Sequence, residues 1–263
     1  MLQAFRRLPT RISHLLILLL AFCQPGVQAQ QSLSMTQTAP LTTDQVVSNL
    51  ERKNQERARA LRQFQGTRIY RMQYRGFPGD RDAEMVVHAQ YTSPDQKQFT
   101  VLSQSGSKLI IDRVFLKLLD AEKEALQPES REHTALNTAN YDFTMDHFEP
   151  VYGGGQYVLA VLPKSRDKFL YRGKIWVDAK DFAVTRIEAE PAKNPSFWIK
   201  KSEIRHRYIK VGDFWLPAEN HTESQMRLGG RATLSIEYKD YKITQADPLN
   251  KAETTSQAAS PTR

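Results

Sequence analysis

Five histidines outside the N-terminal segment, His88, His133, His147, His206 and His221, are the side chains best suited to proton transfer or metal ligation. None stands at a metal-ligand spacing from another, so each reads as a sheet-face or surface histidine. Asp142, Asp146, His147 and Glu149 form the densest acid–histidine cluster. In an extended strand Asp142 and Asp146 share a face and His147 points away, which suits a solvated strand better than an acid–base pair. Gly153-Gly154-Gly155 is followed by neither Lys-Ser nor Lys-Thr and opens no helix, so it reads as a hairpin connection and not a phosphate loop. The single cysteine, Cys23, lies in the N-terminal apolar segment, leaving no thiolate nucleophile, cysteine metal site or disulfide downstream. The pattern offers no catalytic residues, no metal site and no cofactor, and gives a hydrolase or metalloenzyme no support.

The N-terminal segment has the form of a secretory signal over residues 1–29. Arg6, Arg7 and Arg11 precede the apolar run Leu15–Phe22, and Val27-Gln28-Ala29 supplies a cleavage site. The run is shorter than the roughly 20 residues a spanning helix needs. Phe22 ahead of Cys23 argues against acylation there, and the surroundings of Arg6-Arg7 fit twin-arginine export poorly. The chain is therefore expected to be exported and soluble after cleavage near Ala29. Of the net charge of +8, +5 remains on residues 30–263. Export makes a nucleic acid an unlikely partner for this basic chain, whereas anionic lipid headgroups remain within its reach.

Residues 30–41 read as a flexible leader, 42–245 as one domain, and 246–263, without aromatics, as a disordered tail. Thr42-x-x-Gln45 has the form of a capping box. Val46, Val47, Leu50, Ala58, Leu61 and Phe64 then recur at helical spacing up to Gly66. The period changes to two in Tyr70-Met72-Tyr74 and Met85-Val87-Ala89-Tyr91, with Phe99 and Val101 continuing after Ser93-Pro94-Asp95. Helical spacing returns over 108–127: Ile110, Val114, Leu118 and Ala121 form one line, flanked by Ile111, Phe115, Leu119 and Glu122. Ser130 is expected to cap a further short helix reaching about Asn137.

From Tyr141 onward strands follow, with turns at 178–181, Val211-Gly212-Asp213 and Leu228-Gly229-Gly230. Tyr157–Leu162 is apolar on both faces and should be covered on both. The Lys200-Lys201 and Arg205-His206-Arg207 run reads as a solvated convex face. A sheet this wide must curl, and the apolar stripes of the helices must be buried on its concave face. The fold class is α+β: an unclosed antiparallel β half-barrel with helices covering the concave face, an arrangement that can enclose a ligand cavity.

The segments Arg172-Gly173-Lys174-Ile175-Trp176-Val177-Asp178 and Gly212-Asp213-Phe214-Trp215-Leu216-Pro217, with the signal, leading helix and mid-chain helical insert, resemble the periplasmic outer-membrane lipoprotein carriers of the Lol type over roughly 43–243. The resemblance implies a periplasmic, monomeric, non-enzymatic carrier that takes a lipid or acylated protein under a helical lid, with a membrane-protein donor or acceptor as further partner. No lid residue of the family is carried over; this chain's own pattern offers Ile110, Ile111, Val114, Phe115, Leu118 and Leu119 of the insert and Tyr70, Met72, Tyr74, Met85, Val87, Trp176, Trp198 and Trp215 of the sheet as candidates for cavity and lid. A periplasmic signalling module of the same fold, like the envelope-stress regulators, is the alternative; it would bind a protein partner through its surface.

Overall fold

The structure, a computed structural model, describes residues 41–194 and 196–249. The expected signal, nearly all of the leader and most of the tail lie outside these residues. Thr42 caps the first helix, α1 (Thr43–Ala60): its hydroxyl accepts from the Gln45 amide at 3.3 Å, and the Gln45 side chain accepts from the Thr42 amide at 2.9 Å. α1 ends at Ala60, six residues before the expected stop. Residues 61–65, which carry helical spacing, open the first strand instead. Their backbone pairs on both sides, Phe64 standing opposite Tyr91 and Ile243, and two ladders outweigh a one-sided helical stripe.

Ten strands follow: β1 (Leu61–Arg75), β2 (Arg81–Thr92), β3 (Gln96–Gly106), β4 (Tyr141–Val151), β5 (Gly154–Pro163), β6 (Tyr171–Asp178), β7 (Val184–Pro191), β8 (Ile199–Val211), β9 (Phe214–Met226) and β10 (Arg231–Ala246). All are antiparallel in one sheet of order β3-β2-β1-β10-β9-β8-β7-β6-β5-β4. Two meanders, β1–β3 and β4–β10, are thus joined along a single seam between β1 and β10. β3 and β4 are the free edges, so the barrel is not closed. β10 and the residues after it pass the expected domain end at 245: Asp247 pairs with Arg62 at 2.7 Å, and Leu249 packs beside Phe214 and Leu216.

The insert runs from one free edge to the other. Lys108–Ile110 (α2), a π-helical turn over Ile111–Phe115 and Leu116–Ala125 (α3) continue one another, and Pro128–Thr134 (α4) leads to β4. α4 is capped by Gln127 with Pro128 at its first position, where the missing N–H costs nothing, and not by Ser130 as its sequence suggests.

Cross-strand register defines the two faces. One row crosses every strand on the inner face: Gln104, Met85, Tyr70, Ile236, Asn220, His206, Ile187, Ile175, Leu159 and Met145. The adjoining outer row includes Ile69, Glu237, Glu219, Arg207, Arg186, Trp176 and Val158. α1 buries Val46, Val47 and Leu50 on the inner face of β4–β7, against Leu159, Val161, Ile175, Val177 and Ile187. The insert buries Ile110, Ile111, Phe115 and Leu119 against Tyr70, Met85, Val87 and Ile236. Each such aliphatic or aromatic side chain contributes roughly 1.5–3 kcal/mol by leaving water. The outer face of β5 carries no second layer: Trp176 covers Val158, while Leu162 stays exposed.

Candidate functional site

The inner face has three zones. α1 covers one flank and the insert the other. Between them β8 and β9 form a floor on which, among the described residues, no helix packs extensively. That floor is polar. Ser202 and Ser224 bond each other at 2.7 Å, Thr222 donates to Asn220 at 3.0 Å, and His206 stands opposite Asn220. The His206 Nε2 is buried without a hydrogen-bond partner among the described residues. Burial depresses its pKa to about 4, against the opposing pull of Glu122, so the ring is neutral at neutral pH. Tyr208, whose ring centroid lies 5.6 Å from that of His206, is pushed up to about 12 by burial.

On the insert side of this floor lies a buried charged cluster. Arg68 reaches both Glu122 oxygens, at 2.6 and 2.5 Å; Lys97 donates to the same carboxylate at 2.9 Å, and the Tyr70 hydroxyl at 3.2 Å. The Arg68 guanidinium also stands over Phe99 and Tyr238, 5.2 and 5.1 Å from their ring centroids. Burial alone would raise the Glu122 carboxyl; Lys97 and Arg68 more than offset this and hold it below its ordinary value. Two cations thus share one carboxylate, and Glu122 ties α3 to β1 and β3. The far end of the insert is tied by Arg131 to the Pro94 carbonyl at 2.9 Å and by Glu124 to Lys168 at 2.7 Å.

α1 is held in the same style. Arg57 donates to the carbonyls of Asp181 and Phe182, both at 2.9 Å. The Asp181 carboxylate takes Lys210 at 2.5 Å and the Trp215 indole at 2.9 Å.

Of the residues expected to form the cavity and lid, the structure gathers Tyr70, Met72, Met85, Val87, Ile110, Ile111, Val114, Phe115, Leu118 and Leu119 into one cluster. They pack against one another between the insert and the sheet. The most buried residues of the insert are Ile110, Ile111, Phe115 and Leu119; past the π turn the buried line is the flank of the sequence pattern, with Glu122 half-buried at its end. Tyr74 lies at the end of β1, bonded through its hydroxyl to the Phe77 carbonyl. The three tryptophans are not brought to this cluster. Trp176 lies on the outer face, its indole donating to Glu149 at 2.7 Å under Arg186. Trp215 stands beneath the end of α1. Trp198 lies, exposed, in the turn before β8, which starts at Ile199.

The acid–histidine cluster is dispersed into outer-face pairs: Asp146 takes His147 and Lys174, at 2.9 and 2.8 Å, and Asp142 takes Lys164 at 3.5 Å. Arg205 and Arg207 face outward as expected, but His206 between them faces in. Among the described residues, no group of three or more His, Cys, Asp or Glu is placed to hold a metal. Two surface depressions, an outer-face one of about 610 Å³ around Arg172 and Glu188 and one of about 350 Å³ beside Asp44 and Lys164, lie away from the insert.

Sequence periodicity missed Arg68, Lys97, Glu122 and His206. The signal was present in parity: Arg68 shares the Tyr70-Met72 face, and Glu122 continues the Phe115-Leu119 stripe at i+3.

No family model and no curated relative matches the sequence. In structure the chain is similar to a LolA superfamily protein, NE2245 from Nitrosomonas europaea, with 13% identity over 78% of this chain and 94% of that one, at a TM-score of 0.34. It is similar to an outer membrane lipoprotein-sorting protein domain from Vibrio parahaemolyticus, with 11% identity over 76% and 93%, at a TM-score of 0.35. The Pseudomonas aeruginosa MucA/MucB complex contains a chain matched with 13% identity over 76% and 99%, at a TM-score of 0.25.

Proposed function

We propose that this protein is a non-enzymatic periplasmic carrier that shelters the acyl part of a lipid or acylated protein on the inner face of its sheet. The observation that supports this is the insert. Its apolar stripe, Ile110, Ile111, Phe115 and Leu119, covers a sheet face that an acyl chain could cover equally, at roughly 0.8 kcal/mol per methylene. Polar ties hold it there: Glu122 to Arg68 and Lys97, Arg131 to a carbonyl, Glu124 to Lys168. A cover fixed in this way can lift, admit an apolar guest and settle again. The close packing under the insert corresponds in this reading to the empty carrier.

That same packing favours a second reading, a module of this fold that carries nothing and binds a protein partner by its surface. Native mass spectrometry of the processed protein from a periplasmic extract, with lipid analysis and added lipid or lipopeptide, separates the two. A bound acyl species that is lost in Leu118→Glu is the carrier's result. An apo mass with no uptake overturns it in favour of the partner-binding module.

A further inference from the structure

At one end of the sheet the connections β1–β2, β3–α2, β7–β8 and β9–β10 come together. Their adjacency is direct. A Cβ on Gly76 would lie 2.7 Å from the Gly230 Cα, so the β1–β2 and β9–β10 turns touch. The Arg227 amide donates to the Trp198 carbonyl at 2.8 Å and its guanidinium to the Phe197 carbonyl at 2.7 Å, joining β9–β10 to the residues before β8. The Ser107 amide donates to the Asp82 carbonyl at 2.8 Å, joining the start of the insert to β2.

These connections hold large apolar side chains out into water: Phe77 is 79% exposed, Phe197 76%, Leu228 70% and Trp198 55%. Such side chains standing together on one rim mark a contact surface. The charge around them has one sign in excess. Asp80 and Asp82 are both taken by Arg75. Arg81, Lys193, Lys200 and Arg227 have no acidic partner within ion-pair distance among the described residues, and Arg227 lies over the Phe197 ring.

We propose that this rim docks the protein on an anionic phospholipid bilayer: Phe77, Phe197, Trp198 and Leu228 enter the headgroup–acyl boundary, and Arg81, Lys193, Lys200 and Arg227 meet lipid phosphates. Amphipathic aromatic tips ringed by long cationic side chains are what an interface of this kind selects. A protein partner at this rim would supply acidic side chains instead, but would not require four apolar tips raised on three separate connections, each more than half exposed. The docking holds whether or not the inner face carries an acyl chain, since none of these residues belongs to it.

Flotation of residues 30–263 with vesicles tests this. The vesicles are equimolar phosphatidylglycerol and phosphatidylcholine, or phosphatidylcholine alone. The chain should float with the anionic vesicles only and be released by added salt. Phe77→Ser with Leu228→Ser, and separately Arg81→Glu with Lys200→Glu, should each weaken partitioning about tenfold or more. These positions are exposed, so the thermal midpoint should stay put. Tyr152→Ser, at the opposite end and fully exposed, is the control and should leave partitioning unchanged. Equal flotation with neutral vesicles, no flotation at all, or equal loss in Tyr152→Ser overturns the proposal. Self-association that disappears in Phe77→Ser with Leu228→Ser would replace the bilayer by a second copy and overturn it likewise.

Discussion

His206 carries a pH dependence that a surface histidine would not. Unfolded, it takes its proton near 6.5; folded, burial holds it to about 4. Protonation therefore favours the unfolded chain between those values. Stability should fall as pH drops from about 6.5 to about 4, by up to about 3 kcal/mol, and gain nothing from this residue above that range. Urea midpoints across this window, for the wild type and for His206→Asn, should show the slope flatten in the variant. Glu122 acts with the opposite sign of charge and lower on the scale: its depressed carboxyl contributes above its ordinary value near 4.5 and loses that contribution as pH falls through the folded one. Glu122→Gln would leave Arg68 and Lys97 facing each other without a counter-charge. It should cost about 3 kcal/mol in denaturant unfolding, whereas Arg71→Ala, which breaks exposed pairs with Glu84 and Glu237, should cost under about 1 kcal/mol. The cluster was legible only in part: parity puts Arg68 and Glu122 on covered faces, but no periodicity encodes the meeting of residues 25 and 54 positions apart.

Elements were read more readily than their ends. The alternation in Tyr70–Tyr74 and in Ala232–Tyr238 gives strands because one face of each meets the covers. The capping box at Thr42 gives the start of α1, since its partners are local. The end of α1 was hidden because Leu61 and Phe64 continue its spacing while their pairing partners, Ala246 and Ile243, lie far down the chain. Two substitutions separate local from distant causes. Thr42→Ala removes one cap bond and should cost about 1 kcal/mol, seen as earlier proteolysis of α1. Gly106→Ala, where β3 hands over to the insert, has no room: a Cβ there would lie 2.3 Å from the Asp82 carbonyl oxygen, at a φ of +87°. It should cost more than the cap variant, and displace the insert, which tryptic cleavage within 108–134 would report.

At the scale of the whole molecule the curved sheet and the two helical covers on its inner face are one solution to one problem, how to bury two apolar stripes on a single sheet. The seam between β1 and β10 binds the solution together. Cutting the chain before Arg231 would strip β1 and β9 of a neighbour at once, and the product should be insoluble or show no cooperative unfolding transition. The seam also sets a clock. Leu61 finds its partner only when Ala246 has been made, so during synthesis the N-terminal meander waits with β1 as an open edge while the rest of the chain emerges. A chain that postpones its central pairing to its last strand cannot join its two meanders until it is almost complete.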